Sequence, residues 1–266
     1  MILDPVFAII SPSFYRKVAG QPWWRSALFL AYISALLSLA GAVSLKIHAG
    51  PHIDSTFTWL EKSAPPLTFA DGKLTSTLTA PLLLRHPEFE QVAIMVDTSR
   101  TDPVTYQMLL DAKVSAYLAS NAFYMTEPQH PGQMKVYDFS KNGDPKPVTI
   151  DAAFYENARQ IFTRVLYPTV FVLGFLFLIL WNGAWSLIYA LVGLLLNGLA
   201  EGGLGFATLC SVALYAQTAA SFVQALSLVI GFPIPRWPLI SLLITGAYIW
   251  LAIKKIGEPA QPAPAV

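Results

Sequence analysis

The sequence predicts an α-helical polytopic membrane protein of about five transmembrane helices, with a small mixed α/β extracytoplasmic domain inserted after the first helix. Three observations carry that expectation. Apolar residues make up 55% of the 266 and charged residues only 12%, about half the charge of a soluble globular chain; the mean hydropathy is +0.51. Residues 26–45 form an uncharged run of 20, enough to cross a hydrocarbon core of about 30 Å. Residues 165–253 contain only Glu201 and Arg236 as charged side chains, whereas all four histidines and most charges fall between the two apolar regions.

Residues 1–25 hold Arg16, Lys17 and Arg25 beside Trp23 and Trp24. Basic residues with an interfacial aromatic pair read as a cytoplasmic segment, so the N-terminus is placed inside a bacterial inner membrane. The apolar residues before Pro12 read either as a short helix lying on the bilayer or as an unstructured lead. Ala40-Gly41-Ala42 has the small-residue pattern of a signal cleavage site, but the long lead before the apolar run favours an uncleaved anchor over 26–45.

Residues 46–164 are expected to form the external domain. Asp71-Gly72 between apolar residues 67–69 and 74–78 is a hairpin signal. Strands are expected at 91–96, 122–126 and 133–139, and helical pattern at 103–109. Asp151 reads as the N-cap of a helix running through Phe154, Ala158 and Ile161. The bundle over 165–253 is expected to divide at Asn182-Gly183, at Glu201-Gly202-Gly203 and at the proline-rich stretch 232–238, giving spans near 165–181, 184–200, 205–231 and 237–253. Five crossings put the C-terminus outside, while Lys254 and Lys255 favour the cytoplasm; one long crossing over 165–200 removes the conflict. The Pro/Ala-rich tail 254–266 reads as disordered.

Charges nearly cancel, with 16 acidic and 17 basic residues, so no nucleic-acid partner is expected. The lone Cys210 excludes an internal disulfide and a cysteine metal site. Asp97-Thr98-Ser99 after an apolar strand resembles an aspartic-protease loop, but that chemistry needs two carboxylates sharing a proton, and a second copy is lacking unless a homodimer supplies it. An Asp capping a strand-to-turn transition explains it more simply. His48 and His52 have i, i+4 spacing, yet Gly50-Pro51 argues against a regular helix, and Pro87 similarly breaks His86 from Glu88 and Glu90; His130 adjoins Pro131. No metal, cofactor or catalytic residue is expected, and no Walker or Gly-x-Ser-x-Gly motif occurs. Gly198 and Gly202 read as helix packing. Gln217, Ser221 and Gln224 recur at i, i+4 and i+7 with Thr218 adjacent, one polar face of the fourth span. It reads either as interhelical hydrogen bonding or as a groove for a lipid head group or small solute. Ionisable groups of the kind ion-coupled transporters use are scarce here.

Ser11-Pro12-Ser13-Phe14-Tyr15-Arg16, Ile94-Met95-Val96-Asp97-Thr98 and Ala213-Leu214-Tyr215-Ala216-Gln217-Thr218 together resemble a bacterial membrane-protein family of unknown function. Some of its members are labelled maltodextrin-utilisation protein, and it is similar to the wider Yip family of polytopic proteins. Where members commonly carry Thr-Pro, this chain has Thr218-Ala219, which puts a proline kink in doubt. The resemblance implies an architecture and no reaction. The functional expectation is a non-enzymatic binding or accessory subunit acting through the external domain, with membrane lipid and another membrane or envelope protein as partners and homo-oligomerisation compatible with it. The alternatives are a lipid-handling or transport-accessory protein using the polar face and, third, a dimeric aspartyl hydrolase.

Overall fold

A computed structural model describes residues 2–89, 91–127, 130, 132–139 and 147–258. The chain divides into two compact units, residues 1–49 with 165–266, and residues 50–164.

The first unit is helical. Two short helices, α1 (Asp4–Ile10) and α2 (Phe14–Ala19), precede the long α3 (Trp23–His48). Of α6 (Ala152–Leu199), the part from residue 165 onward belongs here, followed by α7 (Phe206–Ala216), α8 (Thr218–Ile230) and α9 (Trp237–Gly257). By length and apolar composition four segments suffice to cross a membrane: α3, α6, the α7–α8 pair and α9. Phe29 stacks on Tyr215 with ring centroids 3.8 Å apart, and the Ser44 hydroxyl donates to the Leu228 carbonyl at 2.6 Å. These contacts advance together along both segments, so α3 and α7–α8 run in the same direction. Ser38 donates to the Phe171 carbonyl at 2.6 Å, while Leu30 lies against Gly183, so α6 runs antiparallel to α3. At the other end α2 meets α9, with Arg16 Nε donating to the Lys255 carbonyl at 2.6 Å and Tyr248 Oη donating to the Ile9 carbonyl at 3.1 Å.

The expected spans 165–181 and 184–200 are one helix, so four candidate crossings replace the expected five. Asn182-Gly183 signals a turn in water, but here both residues serve packing. The Asn182 amide donates to Ser34 Oγ at 3.4 Å, and a Cβ on Gly183 would sit only 3.6 Å from Leu30. In so apolar a stretch, a continued helix satisfies its backbone groups internally, where a turn would expose them. Gly202 is the same kind of contact, since its Cβ would come within 2.9 Å of Ile253, whereas Gly198 has open space.

The second unit opens with α4 (Gly50–Ser63), a regular helix where Gly50-Pro51 argued against one. Proline is tolerated in a first turn because the amide it lacks has no partner there. Strands β1 (Leu67–Ala70), β2 (Lys73–Ser76) and β8 (Val148–Ile150) form a three-stranded sheet, with Asp71 and Gly72 at positive φ in the hairpin turn. A five-stranded sheet has the order β3 (Leu82–Arg85), β4 (Ala93–Asp97), β5 (Ala116–Ala119), β6 (Ala122–Thr126), β7 (Met134–Asp138). Only β4 and β5 pair in parallel, and α5 (Tyr106–Asp111) lies in the crossover between them. Strand alternation gives this sheet two cores. Ala93, Tyr117, Ala119 and Tyr124 pack with Leu109 of α5, while Leu84 and Val96 pack with Trp59 of α4 and Leu67 of β1. Asp151 caps α6 as the sequence indicates, its Oδ1 accepting from the Phe154 amide at 3.0 Å.

Candidate functional site

The polar face expected on a fourth span lies on the third candidate span, α7–α8, where it straddles a break in the helix. α7 ends at Ala216, α8 begins at Thr218, and Gln217 caps both. The break forms although residue 219 is alanine and not proline. Gln217, Ser221 and Gln224 line a cavity of about 150 Å³ between α6, α8 and α9. Thr218 does not join them; it faces a separate groove of about 420 Å³, walled by α1 and α3, and Ser221 borders both spaces.

The far walls of the smaller cavity are aromatic and amide. α6 supplies Trp181, Asn182, Trp185 and Tyr189, whose i, i+4, i+8 spacing sets three rings along one side. Trp237 and Ser241 come from the first turns of α9. Several of these polar groups bond one another: Tyr189 Oη donates to Ser241 Oγ at 3.2 Å, and Ser241 Oγ donates to the Pro238 carbonyl at 3.0 Å. Gln217 is different. Its side chain is 4% exposed and its amide makes no hydrogen bond to any described residue. Its amide atoms are not among the fully enclosed unpaired atoms, so they open onto the cavity, where water or a ligand can pair with them. No charged side chain lines this cavity among the described residues. Its donors and acceptors are neutral amides and hydroxyls, which suit hydroxyl or amide groups and disfavour an ion stripped of water.

In the second unit Asp97 ends β4, beside the end of the parallel strand β5. Its Oδ1 accepts from the Ser99 hydroxyl at 2.6 Å and the Ser99 amide at 3.2 Å, and its Oδ2 accepts from Tyr117 Oη at 2.8 Å. Burial pushes the carboxyl up, but the bonds from Ser99 and Tyr117 and the nearby Arg100 outweigh it and hold it below its ordinary value. Tyr117 is pushed the other way, by burial and by its bond to Asp97. Asp97 is 7% exposed, with both oxygens engaged by neutral donors. This is the geometry of a strand-end cap around Asp97, Thr98 and Ser99, in which both carboxylate oxygens accept from neutral donors.

The histidines are spread out. His48 ends α3 with Nε2 3.1 Å from the Val229 carbonyl. His52 pairs with Glu88 at 3.2 Å, and Glu88, also bonded by Ser55, is held below its ordinary value by those two hydrogen bonds. The buried His86 accepts two backbone amides at Nδ1, from Glu88 and Phe89, both at 3.1 Å. Its Nε2, 3.2 Å from Thr56 Oγ1, therefore carries the proton. His130 lies 3.6 Å from Glu127, and Glu90 lies outside the described residues. No group of three metal-ligating side chains forms among the described residues.

The helical spacing of the sequence shows Gln217, Ser221 and Gln224 but not Asn182, Trp185 and Tyr189, because the expected break takes Asn182 out of the helix and leaves Trp185 and Tyr189 in the span 184–200. Their i, i+3 and i+7 spacing was present but masked by the turn signal at Asn182-Gly183.

Among the described residues, four helical segments long and apolar enough to cross a membrane and a small mixed-sheet unit define a mostly helical class of candidate membrane protein. The chain belongs to the family described as Protein of unknown function (DUF1189), whose model matches residues 6–253. No curated protein and no solved structure matches it.

Proposed function

We propose that this protein is a non-enzymatic, four-span binding protein of the bacterial inner membrane, whose bundle holds a small uncharged polar group, from a solute or a lipid head, in the cavity at Gln217. The observation that carries the reading is the Gln217 amide at a helix break, open to that cavity and without a side-chain hydrogen bond to a described residue. Broken membrane helices place unwound backbone where it lines a site, because lipid tolerates no unsatisfied backbone. The volume of about 150 Å³ corresponds to roughly five waters and suits a head group or fragment-sized solute.

Both termini are assigned to the cytoplasm. Four crossings bring them to the same side, Arg16, Lys17, Arg25, Lys254 and Lys255 then follow the positive-inside rule, and the Arg16 bond to the Lys255 carbonyl supports it. The second unit then lies outside.

The test compares small molecules and lipids retained by the purified wild-type protein with those retained by Gln217→Leu and Gln224→Leu. Loss of a specific molecule at unchanged thermal stability supports the site. If Gln217→Leu only raises stability and retains the same molecules, the amide serves packing and the reading fails.

A second reading, an accessory subunit that docks a partner through the external unit, is favoured by β7. It is the edge strand of the five-stranded sheet and exposes Val136 and Tyr137, 51% and 53% accessible. An open apolar edge accepts an added strand from a partner. Replacing Val136 by Pro abolishes such pairing while leaving the bundle intact.

A further inference from the structure

We propose a second ligand site, for a phosphate-bearing anion, in the cavity of about 210 Å³ lined by Asp4, Lys17, Gln21, Trp24, Arg25 and Tyr215. It is separate from the polar cavity at Gln217 and stands or falls independently of it.

Several basic residues gather in the N- and C-terminal helices of the bundle, and they differ in one respect. Arg16 and Lys255 share Glu258 as an acidic partner. Lys17 and Arg25 have no carboxylate within salt-bridge distance among the described residues. Each instead stands over an aromatic ring, Lys17 Nζ 5.5 Å from Phe14 and the Arg25 guanidinium 5.5 Å from Trp24. Both cations line the same concavity. Gln21 adds an amide, and Tyr215, whose ring is locked against Phe29, adds a phenol at the base.

One carboxylate, Asp4, lines the same cavity, so cations outnumber carboxylates two to one among its lining side chains. That matches a phosphodiester, which carries one negative charge, and Arg with Lys supplies the fork and the point charge that phosphate oxygens accept.

The neighbouring apolar groove points to the source. Pro5, next to Asp4, lines the groove of about 420 Å³ whose walls are Val6 and Ile9 of α1, Leu36 of α3 and Phe222 of α8. The polar and the apolar cavity are thus lined by neighbouring residues of α1, Asp4 and Pro5. Trp23 beside the site is 78% exposed, as an interfacial anchor is. A phospholipid satisfies both cavities, whereas free phosphate fills only one.

The experiment uses the full-length protein in mild detergent, with native mass spectrometry after addition of phosphatidylglycerol or phosphatidylcholine and a parallel titration with inorganic phosphate. The variants are Lys17→Ala/Arg25→Ala and the charge-preserving Lys17→Arg/Arg25→Lys. Wild type is expected to retain one phosphatidylglycerol in preference to phosphatidylcholine. At roughly fivefold per cation, the alanine pair weakens that retention by about 25-fold and the charge-preserving pair restores most of it. Displacement of the lipid by millimolar inorganic phosphate with the same variant dependence identifies phosphate as the recognised group. Binding of phosphate without any lipid preference supports the site and assigns it a soluble ligand. Equal retention of both lipids together with no phosphate effect overturns the proposal, as does unchanged phosphatidylglycerol retention by a folded alanine pair.

Discussion

Replacing Asp97 by alanine removes three hydrogen bonds at once, and their surroundings set what each is worth. Ser99 is exposed, so its amide and hydroxyl regain water when the carboxylate goes, and their loss costs about 1 kcal/mol. Tyr117 is buried, and its hydroxyl is left without Asp97 as acceptor, which costs about 2 kcal/mol more. The sum of about 3 kcal/mol corresponds to a rise of roughly 100-fold in the opening equilibrium of β4 and β5. Hydrogen exchange of those strand amides in the full-length protein reads it directly. Asp97→Asn keeps an acceptor toward Ser99 and a group facing Tyr117, and loses about 1 kcal/mol. A change under fivefold for the alanine variant would refute the capping role and return Asp97 to candidacy for chemistry. The pH dependence has a fixed sign. The folded carboxyl titrates below its ordinary value of 3.8, so its stabilisation is complete above about pH 4 and is lost as pH falls below that through the folded value. Asp97→Asn removes that part of the acid sensitivity.

Gly174→Ala drives a Cβ to 2.8 Å from Ser38 Oγ and lowers the melting temperature of the bundle, and Ser38→Ala in the same chain relieves it, a non-additivity that a double-mutant cycle measures. Gly231→Ala is strained twice, by a φ of +77° and by the His48 ring 2.8 Å from the added Cβ, and costs about 1–3 kcal/mol in thermal unfolding. His86→Phe removes the acceptor for two backbone amides and destabilises the second unit by about 2–4 kcal/mol, read by exchange in the segment after β3. Single cysteines replacing Ser13 and Gly257 are expected to be protected from an impermeant thiol reagent applied outside intact cells, whereas one replacing Asp102 reacts.

Much of the second unit was legible because its signals are local. Asp71-Gly72 specifies its own hairpin, Asp151 its own cap, and strand β6 lies where the 122–126 pattern placed it. Strands β3 and β5 were missed: Leu82–Arg85 is short and apolar, and Ala116–Ala119 has too little alternation to separate it from helix. The errors at Gly50-Pro51 and Asn182-Gly183 share one cause. Turn chemistry is a preference measured in water, and a helix start or an apolar bundle changes what a proline or glycine costs. The stripe at Gln217, Ser221 and Gln224 could be read from helical spacing, but the walls opposite it depend on which helices meet, and that is decided by packing across the bundle.

The break at Gln217 also differs in kind from one made by proline. Proline removes an amide hydrogen permanently, so the gap it leaves has one state. Here Thr218, Ala219 and Ala220 all keep their amide hydrogens, and the carbonyls one turn earlier belong to ordinary residues, so nothing covalent forbids α7 and α8 from joining into one rod. The opening is thus a joint held by its neighbours and not by the covalent chain. Under the proposed function, a molecule that pairs with Gln217 and then leaves removes part of the reason for the joint to stay open, so occupancy becomes a bend that the rest of the bundle can feel.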